Sequence, residues 1–168
     1  MDSSTLRELQ APLRERYRDH PDAAVTPLSA TGTFADDPIT CTVAGFAGPV
    51  RAGLHPATGG DGSDACSGDM LLEAVVACAG VTLRSVATAM SVDLGTVRLR
   101  ADATFDARGT LGADRTVPVG IQGLVVDVVI TGDVDPATLD RLARSTERYC
   151  VVGQSLREPP RVVLRRAG

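Results

Sequence analysis

Residues 67–90 read SGDMLLEAVVACAGVTLRSVATAM, the longest helix-compatible run in this chain of 168 residues. The run is apolar on nearly every side, which predicts a buried helix. At about 1.5 Å per residue it would span roughly 35 Å, the width of a small domain. We therefore expect the rest of the fold to be built around this helix. Cys78, at the middle of this helix, is either a packing residue of the core or a reactive residue.

The polar residues of this helix share one edge. At about 100° per residue, Asp69, Glu73 and Arg84 fall within a narrow stripe, and Cys78 lies on the side opposite Asp69. Glu73 is therefore not expected to contact the thiol. Ser67 is the candidate N-cap, and Asp69 in the first turn complements the helix dipole.

The composition limits the classes of function. The chain is 43% hydrophobic but only 3% aromatic, with no Trp and a net charge of −4. Few aromatic side chains and no excess of positive charge argue against a nucleic-acid partner. Glu73 and Arg84 interrupt the apolar run, so no membrane span is predicted. The first residues, MDSSTLREL, do not resemble a signal peptide, which predicts a cytoplasmic protein with reduced thiols.

Four cysteines are scattered along the chain without a C-x-x-C pair: Cys41, Cys66, Cys78 and Cys150. This spacing supports neither a disulfide scaffold nor a zinc ribbon, and such cysteines are usually small buried hydrophobic residues. Cys66 follows a Gly-rich loop at the helix entrance, where backbone N–H groups could lower its pKa. Both interpretations of Cys66, packing and function, remain open.

Hydrophobic patterns predict helices and strands on both sides of the central helix. An N-terminal helix over residues 5–18 has Thr5 and Glu8 at capping-box spacing, and Pro12 is expected to kink or interrupt it. A helix opens at Asp135-Pro136. Strands are predicted over residues 25–34, 39–46, 50–54, 94–108, 121–131 and 161–166. This order predicts an α+β domain over residues 23–168, with an antiparallel sheet packed on helices and a helical extension over residues 1–22.

A second thiol lies at the end of the helix that opens at Asp135. Its predicted buried stripe contains Leu139, Leu142, Ala143 and Thr146, and the same spacing continues to Cys150. Cys150 is far from Cys78 in sequence, so any pairing would be tertiary. From spacing alone, two packing cysteines and a reactive pair both remain possible.

The segments around both thiols resemble a known family. LLEAVVACAGVTLRSVA at residues 71–87 and TERYCVVGQSL at residues 146–156 are similar to the two cysteine segments of the OsmC/Ohr family, the osmotically inducible and organic hydroperoxide resistance proteins. The resemblance covers roughly residues 30–166. It implies antiparallel sheets wrapped around long central helices in an intertwined homodimer.

The resemblance also implies an activity, thiol-dependent reduction of small organic hydroperoxides. Cys78 matches the family's peroxidatic cysteine, Cys150 matches the resolving cysteine, and Arg51 matches the arginine that activates the thiolate. A dithiol or a lipoylated protein would restore the reduced pair, and no cofactor or metal is needed. The Val, Leu and Ala content suits an alkyl or lipid hydroperoxide.

The sequence departs from the family pattern at both segments. The family Glu that orients the Arg is Gly68 here, and the adjacent Asp69 or the nearby Asp64 can substitute for it; Asp69 is our candidate. Val151 replaces the usual Pro after the second cysteine, and Gly153 replaces the Ser. These changes predict a less reactive site or one tuned to another substrate.

Two other functions remain open. Gly68 favours a non-enzymatic module of the same fold that binds a small molecule or lipid and retains the cysteines. A metal site would need Cys66, Cys78, Cys150 and His55, and their irregular spacing disfavours it.

Overall fold

The computed structural model describes residues 1–34, 39–46 and 48–167. They form two compact units of helices and strands, which confirms the predicted α+β class. The first unit contains Met1–Pro27, Val75–Asp102 and the chain from Val125 onward. The second unit contains Leu28–Ala74 and Ala103–Leu124.

Most predicted elements are present with shifted ends, but the strand predicted over residues 25–34 is reduced to three residues, and the short elements Ala65–Cys66, Ala107–Thr110 and Val151–Gln154 were not predicted. The helices are α1 Ser3–Asp19, α2 Ser67–Ala89, α3 Ala107–Thr110, α4 Pro136–Tyr149 and α5 Val151–Gln154. The strands are β1 Thr31–Thr33, β2 Thr40–Gly45, β3 Gly48–Gly53, β4 Ala65–Cys66, β5 Val97–Thr104, β6 Gln122–Ile130 and β7 Arg161–Arg166. Short 3₁₀ turns occupy Pro21–Ala24 and Pro56–Thr58.

The strands form two sheets of mixed direction. One sheet has the order β1-β2-β3-β4 and the other the order β5-β6-β7. The pairs β1–β2 and β2–β3 are antiparallel, as predicted, but β3–β4 and β6–β7 are parallel. The prediction of purely antiparallel sheets is wrong for these two pairs. For β7 the reason is its connection, because the chain returns from β6 through helices α4 and α5, the crossover that parallel strands require.

Helix α2 has the predicted length but is buried along one stripe only. Its fully buried residues are Val75, Ala79, Leu83 and Ala87, which recur every fourth position. Val81, on another face, is 74% exposed. The prediction of a helix buried on all sides is therefore wrong for the single chain. The predicted polar stripe of α2 is exposed, as expected.

By length and composition alone, α2 could also cross a membrane, since its mean hydropathy is 1.7. The core helix of a soluble protein passes the same test, so this property is weak support for a membrane protein.

The fully buried apolar residues all belong to the first unit. They come from α2, β6, α4, β7 and the connecting loops: Val75, Ala79, Leu83, Ala87, Leu94, Val126, Val128, Ile130, Val134, Leu142, Cys150 and Val162. Among the described residues of the second unit, none is fully buried. The single chain thus closes one hydrophobic core, and its second unit keeps much of its apolar surface in contact with solvent.

The two long amphipathic helices begin with aspartate caps. The Asp135 carboxylate accepts a hydrogen bond from the Thr138 N–H at 3.0 Å, as predicted for α4. In α1 the cap is Asp2, which accepts from the Thr5 N–H at 2.8 Å, so the predicted capping box with Thr5 as N-cap is wrong. Pro12 lies inside α1 without ending it.

The core of the first unit gives a test of stability. Leu142 is fully buried in α4. We expect Leu142→Ala to lower the free energy of unfolding by about 2–5 kcal/mol, because truncation leaves a cavity in a packed core. Leu111→Ala, at a side chain that is 60% exposed, is the control and should change it far less. Urea unfolding measures both, and an equal effect of the two substitutions would contradict this core.

Candidate thiol site

Cys78 and Cys150 meet in the first unit. Cys78 lies in the middle of α2, and Cys150 lies between α4 and α5. Each thiol is close enough to shift the pKa of the other, that of Cys78 downward and that of Cys150 upward. Cys150 is only 2% exposed, whereas Cys78 is half-buried. The structure thus brings together the two thiols that the sequence singled out.

The end of α4 fixes the position of Cys150. Thr138, Leu142, Thr146 and Cys150 are buried and recur every fourth residue, so they form one face of the helix. This face differs from the predicted stripe, since Leu139 and Ala143 are only half-buried, but it includes Cys150 as predicted. The Cys150 N–H donates to the Thr146 carbonyl at 3.0 Å and closes the last turn.

Backbone N–H groups converge on the two sulfur atoms where α5 begins. The first N–H groups of a helix have no partner within the helix. Those of Val151 and Val152 are among the groups that lower the pKa of the Cys78 thiol. The N–H of Gly153 donates to the Cys150 sulfur at 3.4 Å. This turn of the chain therefore presents three donors to the thiol pair.

The groups around the two thiols shift their pKa values in opposite directions. Burial raises the pKa of Cys78. The Val152 N–H, the Cys150 thiol, the Thr82 hydroxyl and the Val151 N–H together outweigh burial, so the pKa lies below its usual range. Burial also raises the pKa of Cys150; the Gly153 N–H opposes this, but the neighbouring Cys78 reinforces it. The pKa of Cys78 is therefore the lower of the two.

The two departures from the family pattern next to Cys150 have structural consequences. Val151 keeps an N–H that contacts Cys78, and a proline at this position would have none. At Gly153 a Cβ atom would lie 3.3 Å from the Cys150 sulfur and 3.3 Å from the Pro160 ring. The glycine thus leaves room for the thiol beside Pro160.

Arg51 lies in the second unit, on β3, where it faces Thr42 of β2 in the sheet register. Its guanidinium forms an ion pair with Asp64. The Asp64 side chain is only 9% exposed, and that of Arg51 is 52% exposed. Any side chain at Gly53 would approach Asp64 to 2.8 Å, so the glycine makes room for this carboxylate.

Asp69 and Gly68 also lie in the second unit. Asp69 is exposed in the first turn of α2. Of the two carboxylates that the sequence left open, Asp64 is the one that pairs with Arg51. A Cβ atom at Gly68 would lie 3.5 Å from the Cys66 sulfur, an ordinary contact.

Cys66 and His55 line an open cavity of about 400 Å³ in the second unit. The His55 ring packs edge-on against Phe105, with 5.2 Å between ring centroids, and its Nδ1 accepts from the Ala57 N–H at 3.0 Å. The other walls are mainly apolar and include Leu54, Leu71, Val119 and Ile121. Across the described part of the chain, no three His, Cys, Asp or Glu side chains group as metal ligands would.

Sequence reasoning missed three groups that contact Cys78. Thr82 lies four residues after Cys78 on the same helix, and this spacing places two side chains next to each other. That signal was available in the sequence. The N–H groups of Val151 and Val152 leave no such signal, because backbone donors depend on where the chain turns and not on side-chain type.

Solved structures with the same fold include three bacterial proteins. An organic hydroperoxide resistance protein of Elizabethkingia anophelis superposes with a TM-score of 0.67 at 15% identity, covering 86% of this chain and 98% of that one. An organic hydroperoxide resistance protein OsmC of Legionella pneumophila gives 0.65 at 17% identity, with 86% and 99% covered. An OsmC-like protein of Mycoplasma pneumoniae gives 0.65 at 12% identity, with 84% and 95% covered.

At these identities the superpositions establish the fold alone. No curated protein shows a significant sequence match to the chain. The sequence model of the OsmC-like proteins matches residues 60–165, which contain α2, both thiols of the pair and the helices that hold Cys150. The chain therefore belongs to the OsmC-like protein family.

Proposed function

We propose that this protein is a thiol-dependent peroxidase that reduces organic hydroperoxides. The observation that carries the proposal is a pair of neighbouring thiols whose pKa values shift in opposite directions, that of Cys78 lowered and that of Cys150 raised. A peroxidase of this kind needs one thiolate as nucleophile and a second thiol beside it. Family membership and the hydroperoxide resistance proteins among the solved structures support the same activity.

In the first step the Cys78 thiolate attacks one oxygen of the peroxide. A sulfur–oxygen bond forms, the O–O bond breaks, and the second oxygen leaves as an alkoxide that takes up a proton to become the alcohol. Cys78 is then a sulfenic acid. Since the thiolate is the nucleophile, the N–H groups that lower the pKa of Cys78 increase the reactive fraction near neutral pH.

In the second step Cys150 resolves the sulfenic acid. The Cys150 sulfur attacks the Cys78 sulfur, water leaves, and a disulfide forms. Two thiols and one hydroperoxide thus give a disulfide, an alcohol and water. An external dithiol, such as a small dithiol or a lipoyl group, reduces the disulfide by thiol exchange and is itself oxidised.

Arg51 is proposed to activate the site, as the family resemblance implies. For its orienting carboxylate we propose Asp64 in place of Asp69, because Asp64 is mostly buried and holds the guanidinium in an ion pair. A buried carboxylate fixes an arginine more firmly than an exposed one.

The protein is proposed to work as a homodimer in the cytoplasm. In the single chain α2 is buried on one stripe only, and no described residue of the second unit is fully buried. A second copy that covers these surfaces would remove the exposed apolar area from water.

The alternative is a non-enzymatic binding module. The observation that favours it is the apolar cavity of about 400 Å³ in the second unit, a volume within the range of small-molecule sites. No turnover of cumene hydroperoxide with dithiothreitol, together with no sulfenic acid at Cys78, would decide for this alternative.

Substitution of Cys78 and substitution of Cys150 should have different effects on the peroxidase reaction. We expect Cys78→Ser to abolish reduction of cumene hydroperoxide, because no nucleophile remains. Cys150→Ser should still consume one equivalent of peroxide and accumulate the Cys78 sulfenic acid, which dimedone labelling and mass spectrometry detect. Cys41→Ser, at a half-buried thiol of β2, is the matched control and should keep full activity. Full turnover by Cys78→Ser would refute the assignment.

The carboxylate assignment can be tested with a matched pair. Asp64→Asn removes the charge that pairs with Arg51, and we expect it to lower kcat/KM for the hydroperoxide roughly tenfold or more, since a displaced activating group is costly. Asp69→Asn, at an exposed carboxylate five residues later, should change it far less. The opposite ranking would restore Asp69 as the partner.

The oligomeric state gives a further test. Light scattering should report twice the 17.4 kDa mass of one chain. Val81→Asp places a charge on the exposed apolar face of α2 and should shift the protein towards monomer. Arg84→Glu, on the polar stripe of the same helix, should leave the mass unchanged. A monomeric mass for the unsubstituted protein would overturn the dimer.

A further inference from the structure

We propose that Glu147 is a positioning residue of the thiol site, whose side chain fixes the end of α4, and with it Cys150, to strand β7. The Glu147 carboxylate accepts a hydrogen bond from the Val162 N–H, with 2.7 Å between the nitrogen and Oε1. Glu147 lies in the last turn of α4, three residues before Cys150. Its role in the resolving step rests on the proposed peroxidase function; its bond to β7 does not.

The Val162 N–H lies on the open side of its sheet. β7 is an edge strand in the order β5-β6-β7. Alternate N–H groups of an edge strand face away from the neighbouring strand and find no partner there. The N–H of Val162 is directed to Glu147 instead. Val162 is only 5% exposed, so the carboxylate replaces a hydrogen bond that water would otherwise have to supply.

Two further contacts hold the turn that contains Cys150. The Gln154 side chain of α5 donates to the Glu147 carbonyl at 2.8 Å, so α5 is bonded back onto the last turn of α4. Gly153 lies close to Pro160, the buried residue before β7, since a Cβ atom at the glycine would be 3.3 Å from the proline ring. Glu147 therefore joins the α4–α5 junction to β7 through its side chain and to α5 through its carbonyl.

Helix stability offers no reason for glutamate at this position. The C-terminal turn of a helix favours basic side chains, because the helix dipole is negative there. The adjacent Arg148 follows this rule, and Glu147 opposes it. The bond to Val162 gives the reason, since a charged acceptor forms a stronger hydrogen bond than a neutral one.

The resolving step depends on where Cys150 is held. In that step the Cys150 sulfur must meet the Cys78 sulfur in the narrow geometry of a disulfide. Holding two reacting groups in place speeds their reaction, and a small displacement slows it. The peroxide, in contrast, reaches Cys78 by diffusion and is not attached to α4. Loss of the Glu147 bond should therefore slow the second step and spare the first.

The experiment separates the two steps in a single turnover. The full-length reduced protein is mixed with one equivalent of cumene hydroperoxide at about pH 9.5, where a thiol of ordinary pKa is largely ionised, so that the first rate does not depend on the N–H donors at the junction. Loss of peroxide reports the first step. Mass spectrometry of samples quenched with dimedone reports the sulfenic acid and the disulfide. We expect Glu147→Leu to leave the first rate unchanged, to slow disulfide formation roughly tenfold or more, and to accumulate the Cys78 sulfenic acid.

Three further variants make the test specific. Glu147→Gln keeps an acceptor oxygen and should form the disulfide nearly as fast as the unsubstituted protein. Glu158→Leu, at an exposed glutamate, is the matched control and should change neither rate. Gln154→Met, at an exposed position, removes the second bond to Glu147 and gives the same comparison if the leucine variant folds poorly. Disulfide formation at the unsubstituted rate in Glu147→Leu, or an equal slowing of both steps, would overturn the proposal.

A second measurement makes the outcome independent of the peroxidase. Diamide, a thiol oxidant, takes up the two hydrogens of the Cys78 and Cys150 thiols and leaves the disulfide without any peroxide. Slower oxidation of Glu147→Leu by diamide, in a protein that turns over no hydroperoxide, would refute the peroxidase and keep the positioning role. Turnover of hydroperoxide with equal diamide rates in the two proteins would refute the role of Glu147 alone.

Discussion

The thiol site depends on the contact between the middle of α2 and the junction of α4 and α5. A sulfur atom in a partly buried position resists ionisation unless donors surround it. At this junction the chain leaves one helix and begins another, and the N–H groups that start a helix are free to bond elsewhere. The N–H groups of Val151 and Val152 lower the pKa of Cys78. Among the groups that lower the pKa of Cys78, two are backbone N–H groups and none is a charged side chain.

Because backbone N–H groups contribute to the lowered pKa of Cys78, the two departures from the family pattern next to Cys150 need not raise that pKa. The sequence predicted lower reactivity or a different substrate when Val151 replaced a proline and Gly153 replaced a serine. In the structure Val151 has an N–H that proline lacks, and Gly153 leaves space for the Cys150 sulfur, where a Cβ atom would lie 3.3 Å away. A substitution that departs from a motif can thus add a backbone donor next to the thiol pair.

The unequal burial of the chain bears on how the protein exists in solution. The first unit has a closed core that includes four residues of α2, one face of α4 and the buried strands. The second unit holds the Arg51–Asp64 pair and the cavity beside Cys66, yet none of its described residues is fully buried. Burial of apolar surface is the main force that holds a fold together, so this unit gains most from a covering partner.

The sequence by itself determined the α+β class, the length of α2, the aspartate cap of α4 and the two thiols, because these follow from local periodicity, capping and motif. It did not determine the direction of β4 and β7, the single buried stripe of α2, the pairing of Arg51 with Asp64, or the donors around Cys78. Those depend on segments far apart in the chain, and local pattern carries no information about which of them meet. The tertiary structure alone decided which thiol has the lower pKa, because two residues of the same type differ in pKa only through their neighbours.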